Sequence, residues 1–239
     1  MVVLAALLFG VVIGSFINVI VLRLGTGRSL GGRSLCLSCG HQLNACDLIP
    51  ILSFLIQRGR CRYCTTKISP QYLLVELFTA VLFGLTAYRH LPILIYPITA
   101  LLVAMVAYDI KHKIIPDVFV YPFIILTLFA SSFAKANLIS GVALFVIFGG
   151  LWLVSGGKWM GFGDAKLVLG IGLLLGPNLS FMAMLIAFWS GAIVGIAMLY
   201  LSRGSLTIKS EIPFAPFLIF GMFVALFANI PIHYIVNFF

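Results

Sequence analysis

Apolar runs long enough to cross a bilayer recur along this chain and limit what it can fold into. The first run covers 1–22, where only Ser15 and Asn18 are polar and no basic residue precedes Arg23. Of the 239 residues, 62% are hydrophobic and only 9% are charged, whereas a soluble domain carries about 25% charged residues. Because a helix satisfies its own backbone hydrogen bonds in lipid, the sequence predicts an all-α polytopic membrane protein.

Seven further apolar runs follow the first, separated by polar breaks. We expect them to form helices over 71–88, 92–109, 116–134, 138–155, 165–177, 180–201 and 214–236. With the first run they make about eight transmembrane helices. The run 165–177 is shorter than the about 20 residues that cross a bilayer, so we expect it to be partly broken or to begin inside the preceding glycine-rich loop. The chain thus divides into a first transmembrane helix (1–22), a polar loop (23–70) and a seven-helix core (71–239).

The basic residues indicate how these helices are oriented. In a membrane protein an excess of Lys and Arg is typical of cytoplasmic loops, so the formal net charge of +9 does not require a nucleic acid partner. A cleavable signal peptide would begin with a positive stretch, so we expect 1–22 to remain as a helix with the N-terminus outside. Thirteen of the fifteen basic residues then face the cytoplasm, namely the seven within 23–70 and Lys111, Lys113, Lys158, Lys166, Arg203 and Lys209. Arg89, Lys135 and the C-terminus are expected outside.

All five cysteines lie in the polar loop. Cys36-Leu-Ser-Cys39 and Cys61-Arg-Tyr-Cys64 form two CxxC knuckles with 21 residues between them. Four thiolates from two such turns suit tetrahedral Zn²⁺ in a reducing compartment. A site closed by four cysteines leaves no open position for water or substrate, so we expect a structural zinc in a small zinc-ribbon-like subdomain.

Other roles for these cysteines are less consistent with the spacing. The knuckles could instead be redox dithiols or free buried cysteines, but paired CxxC turns at this separation favour a metal. Cys46 is left over, and we expect it to be a small buried apolar side chain. His41 could replace one of the ligands, although four cysteines already complete the set.

Acidic residues are rare in this chain, so each is informative. The six are Asp47, Glu76, Asp109, Asp117, Asp164 and Glu211. A charged side chain in or beside a bilayer is costly and is by default a functional candidate. Asp109 and Asp164 are both expected at the cytoplasmic ends of helices, where two neighbouring carboxyls would share a proton and activate a water for peptide hydrolysis. Gly161 and Gly163 of Gly161-Phe-Gly-Asp164 would allow the close backbone approach that such a pair needs.

Each acid also has a structural interpretation. Asp164 could cap the next helix or pair with Lys166, and Asp109 could pair with a neighbouring lysine. Asp117 follows Pro116 and suits a helix terminus, while Glu76 could cap a helix or contact the cysteine loop. The shared membrane face and the glycine context favour catalysis for Asp109 and Asp164. The sequence has no Ser/His/Asp set and no HExxH helix, so serine and zincin mechanisms lack support.

Segments along nearly the whole chain match one known family. They are Gly14-Ser15-Phe16-Ile17-Asn18-Val19 with Arg23, the two knuckles, Asp47-Leu48-Ile49-Pro50, Gly59-Arg60-Cys61, Lys67-Ile68-Ser69, Glu76, Asp109 through Pro116-Asp117, and Gly161 through Lys166. On these segments the chain resembles the prepilin peptidases, which are GxGD-type aspartic proteases of the membrane.

The resemblance implies a function and a location. Such enzymes remove the basic leader of prepilins and pseudopilins at the cytoplasmic face of the bacterial inner membrane. They often then methylate the new N-terminus with S-adenosylmethionine. By motif match, Asp109 is the first catalytic aspartate and Asp164 the second. The alternative is a non-enzymatic transporter or an assembly factor for pili or type II secretion. In that case interfacial acids would carry protons or ions and the zinc loop would dock a partner.

Overall fold

A computed structural model describes residues 1–26, 29, 31–201 and 213–228. Every regular element in that part of the chain is a helix, which confirms the predicted all-α class. The elements are α1 (Val2–Arg23), a 3-10 helix (Ala45–Asp47), α2 (Leu52–Ile56), α3 (Gln71–Tyr88), α4 (Ile95–His112), α5 (Asp117–Ala130), α6 (Lys135–Ser155), α7 (Phe162–Leu201) and α8 (Ala215–Ala228). Predictions for Arg28, Arg203, Lys209, the C-terminus and the predicted helical segment 229–236 lie outside the described residues.

The chain forms two compact units, Met1–Ala107 and Tyr108–Phe239, whose boundary falls within α4. In the first unit α1 packs along α3. Gly10 and Gly14 face α3, and a Cβ built on either would lie 2.7 Å from the Cα of Ala80 or Glu76, respectively. Small residues four apart on one helix thus allow the two backbones to approach closely, as is typical of helix pairs in membranes.

The polar loop between α1 and α3 has little regular structure. Two isolated β-bridges, Leu35 with Gln42 and Arg60 with Lys67, each close one cysteine knuckle. Between the knuckles lie the 3-10 helix and α2. Such a short segment buries few apolar side chains, so side-chain hydrogen bonds and the cysteine cluster hold it together.

In the second unit α7 packs against α5, α6 and α8. Its first half is the most deeply buried part, and Leu167, Val168 and Ile171 are completely inaccessible to solvent. The helix that begins with the Gly161–Asp164 loop is therefore surrounded by the other helices of its own unit. This position fixes the orientation of its first turn.

The long helix α7 is interrupted where the sequence predicts the end of one span. Gly176 has φ 72° and ψ −180°, outside the helical region, and Pro177 follows it. Proline has no N–H to bond the carbonyl four residues earlier. The Asn137 side chain supplies the missing donor to the Leu173 carbonyl at 2.8 Å. A polar side chain from α6 thus satisfies the backbone that the break exposes.

The break explains the number of membrane helices. Forty uninterrupted helical residues would extend about 60 Å, twice the hydrocarbon thickness, so the two parts of α7 are separate apolar segments. Together with α1, α3, α4, α5, α6 and α8 they give eight apolar helical segments in the described residues. Four helices (α1, α3, α6 and α7) are long and apolar enough to span a membrane, whereas α5 and α8 are shorter. The observed α4 ends at His112, so Asp109 lies one turn inside its end rather than at its last residue.

Candidate active site and metal centre

Asp109 and Asp164 lie within one turn of helix ends in the same compact unit. Asp109 belongs to the last turn of α4 and Asp164 to the first turn of α7. Their exposed fractions are 4% and 8%, and the Asp164 carboxyl lies within electrostatic range of Asp109. The fold therefore brings together the two acids that the sequence analysis singled out.

Backbone contacts at the start of α7 fix the Asp164 side chain. The Gly161 N–H donates to Asp164 Oδ2 at 3.2 Å, which is the reciprocal half of a capping box. Gly163 faces the connection between α4 and α5, where a Cβ would lie 3.0 Å from the Cβ of Ile115. Asp164 thus does cap its own helix, as the structural interpretation proposed, but this contact occupies only one carboxylate oxygen.

Lys166 does not pair with Asp164. Its Nζ lies 2.6 Å from Oδ1 of Asp117, the first residue of α5. The same ammonium stands 5.1 Å from the ring centre of Tyr121 and 5.3 Å from that of Phe162. This pair joins the first turns of α5 and α7, and it leaves Asp164 without a neutralising cation among the described residues.

The start of α8 contributes a contact that sequence reasoning missed. The backbone N–H of Ala215, the first residue of α8, lies near the Asp109 carboxylate. Asp109 Oδ2 has no partner in the described part of the chain. A helix N-terminus favours a negative charge, so the start of α8 suits the Asp109 carboxylate, whose buried Oδ2 stays unpartnered among the described residues. Only the apolar run beginning near 214 indicated that a helix would start here.

The four knuckle cysteines converge on one point in the first unit. The Sγ atoms of Cys36, Cys39, Cys61 and Cys64 all lie within 4.8 Å of one another. The Sγ atoms of Cys36 and Cys64 are 3.8 Å apart. A tetrahedron with Zn–S bonds of about 2.3 Å has edges of about 3.8 Å. The donor set and its spacing fit a tetrahedral metal ion.

The two knuckles have the same backbone geometry. In the first, the Cys36 N–H donates to the His41 carbonyl and the Gly40 N–H to the Cys36 carbonyl; in the second, Cys61, Thr66 and Thr65 repeat this pattern at 2.9 Å. Gly40 and Thr65 occupy equivalent positions with φ 71° and 58°. The repeated turn orients both pairs of thiols toward a common centre.

Local hydrogen bonds and thiol crowding perturb the cysteines in opposite directions. The side chain and backbone of Thr66 lower the pKa of Cys64 to about 6. Backbone bonds at Cys39 and Ser38 also lower the pKa of Cys36. At Cys39 the His41 amide favours the thiolate, but desolvation and neighbouring thiols outweigh it and raise the pKa to about 11. Four clustered thiols resist full deprotonation without a cation between them.

The remaining two candidates in the loop have other positions. His41 stacks on Tyr63, with ring centres 3.7 Å apart, and is not part of the thiol cluster. The expectation that Cys46 is buried is wrong, because its side chain is exposed. The loop is too small to provide an interior for a side chain that is not a ligand.

Asp47 organises the loop in a way that sequence reasoning did not anticipate. Its buried carboxylate accepts hydrogen bonds from the Asn44 N–H, the Gln57 side chain and the Tyr63 hydroxyl at 3.1–3.2 Å, and it pairs with Arg62 at 3.3 Å. Desolvation and the adjacent Asp47 raise the pKa of Tyr63. Two of these partners belong to the second knuckle. The Asn44-x-x-Asp47 spacing, typical of a capping box, was the available signal.

Glu76 contacts the cysteine loop, one of the two roles considered for it. It lies in the second turn of α3, so it does not cap that helix. Its Oε2 accepts the Ile51 N–H at 2.7 Å. Beside it, Asn18 of α1 donates to the Tyr72 carbonyl at 3.1 Å, and Asn18 Oδ1 is unpartnered in the described residues.

Two family models cover most of the chain. Residues 8–90 match the bacterial peptidase A24 N-terminal domain, and residues 96–196 match the type IV leader peptidase family. The chain belongs to the type IV leader peptidase family. The first match contains all four clustered cysteines, and the second contains Asp109 and Asp164. This family member is therefore a multi-pass protein of the inner membrane.

Several curated relatives of this type IV leader peptidase carry the same name, prepilin leader peptidase/N-methyltransferase. The proteins from Burkholderia pseudomallei and Pseudomonas aeruginosa are each 31% identical to it, over 95% and 94% of the chain and 86% and 89% of their own lengths. The protein from Aeromonas hydrophila is 30% identical over 92% of the chain and 88% of its length. No solved structure shows a significant match to this chain.

Proposed function

We propose that this protein is a prepilin leader peptidase and N-methyltransferase. It cleaves the basic leader from type IV prepilins and pseudopilins, and it then methylates the new N-terminal amine with S-adenosylmethionine. The observation that carries the peptidase assignment is the buried pair Asp109 and Asp164, which lie within electrostatic range of each other near two helix ends of one unit. Family membership and the names of the relatives support both activities.

In the proposed mechanism Asp109 and Asp164 act on one water molecule without a covalent intermediate. One carboxyl, ionised, takes a proton from the water while the other, protonated, donates to the peptide carbonyl. The Gly161 N–H would hold Asp164 by one oxygen, and the N-terminus of α8 at Ala215 would favour the charge of Asp109. Oδ2 of Asp109 is buried and has no hydrogen-bond partner among the described residues, so it would accept a hydrogen bond from a water that enters with the substrate.

The position of the pair suits the substrate. A prepilin has a basic leader followed by an apolar helix, which can lie in the bilayer beside this protein. The scissile bond then reaches the interface, where water is available. We place the aspartates and the polar loop on the cytoplasmic side with both termini outside, because this orientation puts thirteen of fifteen basic residues in the cytoplasm.

We assign a structural zinc ion to Cys36, Cys39, Cys61 and Cys64. Support comes from the four-thiol donor set and from an Sγ separation equal to a tetrahedral edge. Such an ion would neutralise the crowded thiolates and hold the two knuckles together, and it would take no part in hydrolysis.

Mass spectrometry of a prepilin tests the proposal. Purified protein in lipid is incubated with a prepilin, with and without S-adenosylmethionine. We expect loss of the leader in both reactions and the gain of one methyl group only with the methyl donor. An intact prepilin would contradict the peptidase assignment, and a cleaved but unmethylated product would contradict the second activity.

A further inference from the structure

The short helix α2 presents an apolar face that the first unit leaves uncovered. Leu52, Leu55 and Ile56 stand three and four residues apart, so they share one side of the helix. Their exposed fractions are 56%, 57% and 74%, and no residue of α2 is buried. Phe54 faces the other way and packs on Gly59. The outward side chains therefore form a continuous apolar surface on a segment that has only five helical residues.

The residue just before α2 is fixed to a membrane-spanning helix. The Ile51 N–H donates to Glu76 of α3 at 2.7 Å. Ile51 itself has φ 62° and ψ −55°, and the Leu52 N–H bonds the Pro50 carbonyl at 2.6 Å. This is a γ-turn with positive φ, which is rare and strained. A β-branched residue keeps such a conformation only where its surroundings hold it.

The contact between Ile51 and Glu76 lies within the length of α1 and α3 rather than beyond their ends. Glu76 is five residues, or about 7.5 Å, from the first residue of α3. Along the helix axes Glu76 lies at the same height as Gly14 of α1, because a Cβ built on Gly14 would lie 2.7 Å from the Glu76 Cα. Gly14 in turn is nine residues, or about 13 Å, from the end of α1 at Arg23. Because a helical side chain leans toward the N-terminus of its helix, Ile51 sits between the levels of Glu76 and Gln71.

Basic residues flank the same surface. Arg58 and Arg60 lie two and four residues after the end of α2, and both are exposed. Leu48 and Ile49, exposed by 42% and 45%, precede Ile51 and add two exposed apolar side chains to the same segment. Apolar side chains rimmed by arginines match the boundary between acyl chains and anionic headgroups.

We propose that Leu48–Ile56 is an interfacial anchor, inserted in the leaflet that holds the Arg23 end of α1 and the start of α3. The occupant of the exposed face is phospholipid, and Arg58 and Arg60 contact anionic headgroups. Glu76 sets the depth of the anchor through Ile51. The anchor keeps the cysteine subdomain against the membrane surface. This inference concerns the first unit alone and does not depend on either proposed activity.

Photocrosslinking of the full chain tests the anchor. Leu55 is replaced with p-benzoylphenylalanine in one variant, and Leu37 in the other. Leu37 is a leucine of the first knuckle that is exposed by 68%, against 57% for Leu55, and no described hydrogen bond ties it to α3. Both variants are reconstituted in vesicles of phosphatidylethanolamine and phosphatidylglycerol, irradiated and analysed by mass spectrometry.

We expect phospholipid adducts at position 55 in severalfold higher yield than at position 37. Equal yields at the two positions, or adducts at 55 mainly to a second protein chain in native membranes, would overturn the anchor. Replacing Arg58 and Arg60 with Gln should lower the yield at 55 in these vesicles but not in phosphatidylcholine alone. An unchanged yield in the anionic vesicles would overturn the headgroup contact. Retained binding of one metal ion per chain by the same samples shows that the subdomain is folded.

Discussion

The contact between Glu76 and Ile51 makes a quantitative prediction about the cysteine loop. Replacing Glu76 with Ala removes the acceptor that the Ile51 N–H reaches at 2.7 Å. Leaving a donor without its partner costs about 1–3 kcal/mol when the site is buried. The strained turn at Ile51 adds a tendency to open, since holding an unfavourable backbone conformation costs about 1–3 kcal/mol.

Hydrogen exchange at the Ile51 amide measures this cost directly, because it reports the local opening free energy. A loss of about 1–3 kcal/mol corresponds to exchange roughly 5–150 times faster in Glu76→Ala, since about 1.4 kcal/mol is a factor of ten. Glu76→Gln keeps a neutral acceptor of the same shape, so we expect an intermediate increase. Exchange is followed by mass spectrometry on peptides that cover α2.

A second substitution separates the hydrogen bond from the strain. Glycine adopts positive φ without penalty, so Ile51→Gly should reduce the acceleration caused by Glu76→Ala, and the two effects should be non-additive. If the Ile51 amide of the Glu76→Ala variant exchanges at the wild-type rate, Glu76 does not hold the cysteine loop. If the effects of the two substitutions on the opening free energy are strictly additive, Glu76 does not act by restraining the strained turn at Ile51.

Three other predictions concern the metal, helix packing and the role of Asp117. Metal analysis of purified, reduced protein should find about one zinc ion per chain, and its complete absence would refute the cysteine site. Gly172→Ala would place a Cβ 2.6 Å from the Gly141 Cα, so it should destabilise the protein by about 1–3 kcal/mol. Gly149→Ala is the control, because a Cβ built there has nothing within 4 Å. Equal melting temperatures of the two variants would contradict the packing of α6 against α7. Asp117→Asn should retain leader cleavage, because Asp117 is half exposed and paired with Lys166; complete loss of cleavage would bring Asp117 into the catalytic set.

Helices and the metal cluster could be predicted from the sequence because local physics determines them. The bilayer forces each long apolar run into a helix, so α1 and α3 begin and end within one residue of the predicted spans. A CxxC turn brings its own two thiols together, and two such turns suggest a shared ion. The short predicted run at 165–177 likewise reflects the real break at Gly176, since Gly and Pro disturb any helix.

Other features depend on contacts between distant parts of the chain. Asn137 lies 36 residues before the carbonyl that it satisfies, and no pattern around it indicates that role. The network at Asp47 and the turn at Ile51 likewise follow from the folded loop rather than from periodicity. Cys46 was expected to be buried because free cysteine usually is, but the loop has almost no interior. The juxtaposition of Asp109 and Asp164 required the fold, although the sequence identified both residues.

Leader cleavage by Asp109→Asn and Asp164→Asn tests the catalytic pair most directly. Each substitution keeps the side-chain shape and removes an acid or base. Because a general acid or base accelerates such a reaction at least about a hundredfold, we expect cleavage to slow by at least that factor. Methylation of a pilin whose leader has already been removed serves as the control for folding, and we expect both variants to retain it. If Asp109 and Asp164 are the catalytic pair, mass spectrometry of reactions with either variant should find the prepilin uncut and the precleaved pilin methylated. Cleavage at the wild-type rate by either variant would contradict the assignment of Asp109 and Asp164.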